Sequence, residues 1–214
     1  MRNDLFLLTG ICCALLAAAL TGLVVAGWQP LVAYDGQVAR DLHAHAVSHP
    51  GTTRLMQVLS DWVWDPWTLR ALAAVAVVLL WRRGDRDRAL CVALATLAAS
   101  AVQQGMKAAV GRERPVWPDP VDSASFAAFP SGHAMTAAVV CGLLLWLLPR
   151  PAPRWAPAAW VLAVVSVLGV GFTRLYLGVH WFSDVLAGWL LGVALVMLAV
   201  RVTVRRRDRS PVGR

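Results

Sequence analysis

The sequence predicts an all-α protein, a bundle of six helices that cross a membrane. Only 15% of the 214 residues are charged and 58% are hydrophobic, whereas a soluble domain carries about 25% charged residues. The uncharged residues are concentrated in long runs. The first run, residues 5–27, exceeds the about 20 residues that a helix needs to cross a bilayer. Composition and patterning together therefore exclude a soluble globular domain.

Five further apolar runs predict the remaining helices. The second helix is expected near residues 66–81, where Arg70 lies close enough to the start of the run to reach the lipid headgroups. The third to sixth helices are predicted from residues 89–106, 134–148, 155–173 and 185–200. We interpret the first run as a retained helix, because its apolar stretch is longer than the about 7–15 residues of a signal peptide.

The arginines flank the apolar runs and therefore predict topology. They lie between helices two and three, between helices four and five, and after helix six: Arg82, Arg83, Arg86 and Arg88; Arg150 and Arg154; Arg201, Arg205, Arg206, Arg207 and Arg209. Basic segments of membrane proteins stay in the cytoplasm. We therefore expect both termini to be cytoplasmic, with segments 28–66, 111–132 and 174–182 on the other side of the cell membrane. Topology explains the net charge of +8, so nucleic-acid binding is not expected.

One membrane domain is predicted over residues 1–204, followed by a basic cytoplasmic tail, 205–214. We expect the basic stretch from Arg201 onward to be disordered beyond the membrane surface. In the longest extramembrane segment, residues 38–59 would form an interfacial helix, and Trp62, Trp64 and Trp67 suit an aromatic belt.

The cysteines and the remaining histidines and aspartates do not predict a disulfide or a metal site. The four cysteines, Cys12, Cys13, Cys91 and Cys141, all lie in apolar runs and are expected to be small buried side chains. His43, His45 and His49 have no carboxylate or cysteine cluster beside them, so we expect solvated loop histidines. Asp119 and Asp122 are expected to face solvent. Neither a metal nor a cofactor is predicted.

The first of three polar groups near the outer helix ends begins at Lys107, at the end of helix three. Arg114 follows seven positions later, about two helical turns, so the two side chains would share a face if the helix continued. The alternative is a basic helix end lying among lipid headgroups.

The second group, Ser131, Gly132 and His133, directly precedes the apolar run of helix four. Ser131 suits the N-cap, and Gly132 lets a ligand approach the backbone. Since the N-terminus of a helix offers free N–H groups and partial positive charge, this position suits a phosphate. The alternative is an ordinary capped helix start with a histidine at the interface.

The third group is Arg174, His180 and Asp184. The spacing from His180 to Asp184 predicts that both project from one helical face. A carboxylate one turn away holds one ring nitrogen protonated and leaves the other free as nucleophile or base. Arg174 offers a planar fork for phosphoryl oxygens. The alternative is a structural His–Asp pair that secures the helix end.

Together, three cations, a helix N-terminus and two histidines are predicted on one membrane face, without a cluster of carboxylates. This inventory suits phosphoryl transfer without a metal: cations and N–H groups stabilise the phosphoryl oxygens, one histidine attacks, and the other protonates the leaving oxygen.

In order and spacing, these residues resemble the three-part signature of the type 2 phosphatidic acid phosphatase (PAP2) superfamily. The matching elements are Lys107-x6-Arg114-Pro115, then Pro130 to His133, then Arg174-x5-His180-x3-Asp184, within residues 100–190. One departure is Thr173, where the family usually has Ser; the hydroxyl is kept. The resemblance implies a six-helix bundle of the PAP2 and acid phosphatase–haloperoxidase type.

The resemblance also implies roles. His180 would form a phosphohistidine oriented by Asp184, and His133 would be the general acid. Five other residues would bind the phosphoryl group: Lys107, Arg114, Ser131, Gly132 and Arg174. His180 is preferred as nucleophile over His133 because it alone has a carboxylate at helical spacing.

The implied activity is a metal-independent lipid phosphatase in the cell membrane, with its site on the extracytoplasmic face. The composition, rich in arginine and alanine and nearly free of lysine, separately indicates a GC-rich bacterial genome. Undecaprenyl diphosphate, phosphatidylglycerol phosphate and phosphatidic acid are the candidate substrates. Two alternatives stay open: a vanadate-dependent oxidase like the haloperoxidases, which are typically soluble, and a non-catalytic membrane protein or transporter that keeps the fold. The sequence does not predict the oligomeric state.

Overall fold

A computed structural model describes residues 2–149 and 151–209, and their regular structure is entirely helical. A π-helical turn, Leu59–Val63, lies between α3 and α4. The helices are α1 Arg2–Val25, α2 Gln29–Ser48, α3 Pro50–Val58, α4 Pro66–Arg82, α5 Arg86–Val110, α6 Gly132–Trp146, α7 Ala156–Tyr176 and α8 Phe182–Arg209.

Five stretches are long and apolar enough to cross a membrane: α1, α5, α7, α8 and the segment Pro50–Arg82, which contains α3 and α4. The fourth predicted span corresponds to α6, which has 15 residues. At 1.5 Å per residue it is about 22 Å long, shorter than the about 30 Å hydrocarbon core. The predicted fold class, an all-α membrane bundle, is confirmed, and the chain is a multi-pass membrane protein.

The segment between the first two predicted spans contains more helix than expected. Instead of one interfacial helix over 38–59, α2 covers Gln29–Ser48 and α3 begins at Pro50. The break falls at His49 because proline disfavours helical geometry in the residue before it and suits the first turn of a new helix.

The basic C-terminal stretch also differs from the expectation. Helix α8 continues to Arg209, so the prediction of disorder from Arg201 was wrong for residues 201–209. A physical reason is the contact of Arg207 with Asp85 and Asp87 at the start of α5. Arg150 and residues 210–214 of the predicted tail lie outside the described residues.

Helix α6 lies at the centre, and nine of its residues are buried. Helix α8 approaches it closely at two glycines one turn apart. A Cβ atom on Gly188 would lie 2.7 Å from the carbonyl oxygen of Ser131, and one on Gly192 would lie 2.7 Å from Cβ of Ala138. Small residues at such spacing allow membrane helices to pack closely. This packing brings the first turns of α6 and α8 together at one end of the bundle, which we call the site end.

Candidate active site

His180 lies in the turn between α7 and α8, not on a helical face as predicted, because α8 begins only at Phe182. Gly178 makes the turn possible. Its φ is +67°, and a Cβ there would lie 2.6 Å from Nε1 of Trp117, which donates a hydrogen bond to the Gly178 carbonyl. The turn still brings Nδ1 of His180 within 3.3 Å of Oδ2 of Asp184.

Asp184 is fully buried and holds three elements together. Its Oδ2 accepts a hydrogen bond from the backbone N–H of Trp181, 2.9 Å, and its Oδ1 accepts one from Nη1 of Arg112, 2.6 Å. Its own carbonyl accepts from the backbone N–H of Ser131, 2.9 Å. The carboxylate that faces His180 is therefore fixed from both sides.

Behind Asp184 stands a network whose role the sequence did not reveal. Nη2 of Arg112 donates to Oδ2 of Asp35 in α2, 2.7 Å, and Nη1 also donates to Oγ of Ser183. Asp35 is 1% exposed and accepts further hydrogen bonds from the backbone and hydroxyl of Ser183. Asp35, Arg112, Asp184 and His180 thus form one connected chain. The sequence hinted at this network only through Asp35, a carboxylate close to the first apolar run. A buried carboxylate requires a partner.

Lys107 and Arg114 meet through a loop and do not share a helical face. Helix α5 ends at Val110, and Gly111 follows in the left-handed conformation, φ 59°, which closes helices at this position. Both side chains then turn to the same loop: Lys107 donates to the carbonyl of Ala127, and Arg114 donates to that of Phe126, 2.9 Å. Nη1 of Arg114 lies 3.1 Å from Nε2 of His180.

Ser131 occupies the N-cap position of α6, as its sequence predicts, but its hydroxyl does not cap the helix. That hydroxyl is buried and has no hydrogen-bond partner among the described residues. Gly132 packs against the amide of Gln103, which would lie 2.4 Å from an added Cβ. The start of α6 therefore keeps unpaired donors next to His133.

Arg174, near the end of α7, is 4% exposed. Its Nη1 donates to Oγ of Ser60, 2.7 Å, and lies 3.4 Å from Oδ2 of Asp122, while its Nε has no partner in the described part of the chain. The prediction that Asp122 faces solvent was wrong, because the carboxylate is drawn inward by Arg174. Burial raises the pKa of Asp122, and Arg174 opposes that rise. Asp119 is exposed, as expected.

A cavity of about 560 Å³ collects six of the eight predicted site residues. Ser131 and Asp184 do not line it, but each is next to a residue that does: Ser131 directly precedes Gly132, and Asp184 contacts His180. Four further polar residues that no sequence pattern selected also line it, two between α3 and α4 and two on α5: Asp61, Asp65, Gln103 and Gln104. The six predicted residues that line it are Lys107, Arg114, Gly132, His133, Arg174 and His180.

The electrostatics of the cavity favour a neutral His180. Burial lowers its pKa well below the usual value, and the cations Arg114, Arg174 and Lys107 lower it further. Burial also lowers the pKa of Arg114 to about 10, so Arg114 stays protonated at neutral pH. With its Nδ1 proton directed at Asp184, the imidazole presents the lone pair of Nε2 to the cavity. The arrangement can bind an anion and offer it a nitrogen nucleophile.

His43 and His45 on α2, and His49 directly after it, only partly match the expectation of solvated loop residues. His43 is buried and stacks on Trp117 with ring centroids 4.1 Å apart, so it supports the turn at Gly178. His45 and His49 are exposed, and Nδ1 of His45 lies 3.1 Å from the hydroxyl of Tyr176. Within the described ranges, no group of three or more histidine, cysteine or acidic side chains is placed to hold a metal ion.

Known proteins resemble the chain in both sequence and fold. An undecaprenyl-diphosphatase of Sulfolobus acidocaldarius is 30% identical over 151 residues, 66% of this chain and 64% of that protein. Phosphatidylglycerophosphatase B of Bacillus subtilis is 38% identical over 96 residues, 44% of this chain and 47% of that protein. The chain thus spans less than two thirds of the length of either relative.

The crystal structure of a transmembrane PAP2-type phosphatidylglycerolphosphate phosphatase from Bacillus subtilis superposes with a TM-score of 0.81. The match covers 96% of this chain and 99% of that one at 22% identity, so it concerns the fold. The family model described as the PAP2 superfamily matches residues 88–208, which include the three predicted segments and more than half of the chain. This protein therefore belongs to the PAP2 superfamily.

Proposed function

We propose that this protein is a metal-independent lipid phosphatase that cleaves a phosphate monoester or diphosphate of a membrane lipid. The observation that carries the proposal is the 3.1 Å approach of Arg114 Nη1 to His180 Nε2, in a cavity that Lys107 and Arg174 also line. The two relatives with phosphatase names support the same reaction class. Undecaprenyl diphosphate, phosphatidylglycerol phosphate and phosphatidic acid are the substrates we would test.

The phosphoryl group binds between three cations and the start of α6. Lys107, Arg114 and Arg174 contact its oxygens, and the unpaired hydroxyl of Ser131 and the backbone N–H of Gly132 complete the site. Such donors stabilise the charge that spreads over the phosphoryl oxygens in the transition state. These groups supply the positive charge without a metal ion.

In the first step, Nε2 of His180 attacks phosphorus and forms a P–N bond. The P–O bond to the lipid breaks at the same time, and the departing oxygen takes a proton from His133. Asp184, 3.3 Å from Nδ1, accepts the hydrogen bond of the imidazole and stabilises the positive charge that develops on it. This step leaves a phosphohistidine and a free lipid alcohol or lipid monophosphate.

In the second step, a water molecule attacks phosphorus and gives its proton to His133, which now acts as a base. The P–N bond breaks, and its electron pair returns to Nε2 of His180. Inorganic phosphate leaves, and both histidines have regained their initial protonation states.

The test is phosphate release by the purified protein in detergent, with the three lipids and with or without EDTA. We expect activity that survives EDTA and falls to background in His180→Ala and Arg174→Ala. His45→Ala is the matched control, because His45 is an exposed histidine outside the cavity. Loss of wild-type activity in EDTA would refute the metal-free mechanism, and an active His180→Ala variant would refute the assigned nucleophile.

We also propose that the site end faces the extracytoplasmic side and that both termini are cytoplasmic. The support is the arginines at the opposite end, among them Arg82 at the end of α4 and Arg83 directly after it. A cysteine at Val116, which is 89% exposed at the site end, should react with an impermeant thiol reagent from outside intact cells. Arg83→Cys is the control and should react only after permeabilisation. The reverse pattern would invert the topology.

A further inference from the structure

Arg70, in the second turn of α4, is a cation that has no carboxylate partner among the residues that the structure describes. It is partly buried inside the apolar segment Pro50–Arg82, and its Nε is buried with no hydrogen-bond partner among the described residues. Its guanidinium carbon lies 5.4 Å from the ring centroid of Trp67. A charged side chain within a membrane segment is costly unless it faces a partner or a polar cavity.

The side chain lines the same cavity as His133 and His180, instead of only reaching to the lipid headgroups as its sequence position predicts. Asp61 and Asp65 also line this cavity, but neither forms an ion pair with Arg70 in the described ranges. Asp65 is engaged in capping α4, where Oδ2 accepts hydrogen bonds from two backbone N–H groups. Arg70 thus supplies a fourth cation, in addition to the three of the PAP2 signature.

Gln103 is a second, independent observation on the same wall. It lies one helical turn before Lys107, is 8% exposed, and lines the cavity. Its amide makes no hydrogen bond within the part of the chain that the structure describes, so its N–H groups are available to a ligand in the cavity. The amide packs against Gly132, at 2.4 Å from where a Cβ would stand, and therefore lies beside His133.

The two side chains line the same cavity as His133, the residue to which the proposed mechanism assigns the leaving group. Helix α4 packs against α5 and α6 through Leu69 and Ala73, so Arg70 and Gln103 come from the wall that also carries His133. His180 enters from the α7–α8 turn. In the proposed mechanism His133 protonates the oxygen of the leaving group, so groups next to His133 contact the leaving group.

We propose that Arg70 and Gln103 form a second anion subsite, which binds a phosphate of the lipid that is not transferred. The proposal rests on the proposed function and names its substrate class: lipids that carry a second phosphate close to the reacting one. Two sources share this chemistry, namely a diphosphate and a phosphodiester linked to the reacting phosphate through glycerol. A guanidinium and an amide provide the planar set of N–H donors that a phosphate accepts.

The experiment compares lipids that differ only in the second phosphate. One pair is a prenyl diphosphate and the prenyl monophosphate with the same tail; the other is phosphatidylglycerol phosphate and phosphatidic acid with the same acyl chains. In Arg70→Gln we expect kcat/KM to fall about tenfold or more for the two-phosphate lipid, and less than about threefold for its one-phosphate counterpart. Whichever pair shows this difference identifies the source of the second phosphate.

Two further variants guard against a folding defect in Arg70→Gln. Arg70→Lys keeps the charge and should recover part of the loss, whereas Gln103→Glu places a carboxylate against the second phosphate and should show the same selective loss. Arg86→Gln is the matched control: Arg86 lies over Trp81 at 5.5 Å, outside the cavity, and should have no effect. Equal losses on both members of each pair, or no loss, would overturn the subsite.

A binding measurement without turnover separates this proposal from the proposed function. Methylenediphosphonate, which cannot be hydrolysed, should raise the Tm of the protein in detergent more than inorganic phosphate does, and Arg70→Gln should remove that difference. If no lipid is hydrolysed but this difference is present, the phosphatase proposal fails and the subsite stands. If lipids are hydrolysed but the difference is missing, the subsite fails alone.

Discussion

Arg112 offers a sharp test of how the site holds His180 in place. Its guanidinium joins two carboxylates that are almost fully buried: it lies 2.7 Å from Asp35 and 2.6 Å from Asp184. We predict that Arg112→Gln reduces kcat while the KM for the lipid changes little. Arg112 does not line the cavity and acts on the reaction through Asp184, so it is a positioning residue.

The magnitude follows from the hydrogen bond that Asp184 loses. A hydrogen bond to a charged group contributes about 1.5–3 kcal/mol, and each about 1.4 kcal/mol in the activation barrier changes a rate tenfold. If that energy holds the carboxylate in line with Nδ1 of His180, kcat should fall about 10- to 150-fold. Stability should fall as well, because removing one partner of a buried ion pair costs about 3–5 kcal/mol.

The assay is steady-state phosphate release combined with acid-quench trapping of the phosphohistidine. The variant should accumulate the intermediate more slowly, which a merely less stable protein would not do at a temperature where it stays folded. Arg88→Gln is the control, since Arg88 pairs with Asp85 in a partly exposed salt bridge, 38% and 22%, and such pairs contribute about 0–1 kcal/mol. A folded Arg112→Gln variant with wild-type kcat would refute the positioning role.

Three other predictions follow from single contacts. Gly178→Ala should lower the free energy of unfolding by at least about 1 kcal/mol, because a residue with a side chain pays that much in the left-handed conformation and the new Cβ would press on Trp117. Thermal denaturation measures the effect, and an unchanged Tm would contradict the prediction. His180 should stay neutral at pH 6, because its pKa lies well below the usual value and a histidine gains its second ring proton only as the pH falls below its pKa. ¹⁵N NMR of histidine-labelled protein measures the protonation state, and titration of His180 near pH 6.5 would contradict the prediction. The carboxylate of Asp122 lies 3.4 Å from Nη1 of Arg174 and competes with phosphate for it. Asp122→Asn should therefore tighten inhibition by inorganic phosphate about two- to fivefold, which corresponds to the free energy of a partly exposed ion pair. Weaker inhibition would instead show that Asp122 orients Arg174.

The fold was largely predictable because membrane helices leave a strong signal in one dimension. Runs without charge predicted the helical class, the five stretches that are long enough to cross a membrane, and the shorter apolar helix α6. The helix ends were less accurate, since they depend on local geometry. Pro50 divides the outer segment into two helices, and Arg207 extends α8 through a contact with Asp85 that is 122 positions away in the chain.

The candidate site was predictable only where its residues lie close together in sequence. The pair of His180 and Asp184 and the start of α6 at Gly132 follow from local spacing. The burial of Asp122 against Arg174 and of His43 against Trp117 was not predicted, because each depends on a partner at least 50 positions away. Local patterns cannot distinguish such partnered groups from solvated ones.

The sequence by itself determined the class of the protein, its membrane-spanning helices and the types of residue available for phosphoryl transfer. These properties depend on hydrophobicity and on spacing within single helices. The tertiary structure alone decided that Asp35 and Arg112 hold Asp184, and that Arg70 and Gln103 enter the cavity of His180. Those relations depend on the packing of α2 against α8 and of α4 against α5, which joins residues far apart in the chain and which no local pattern encodes.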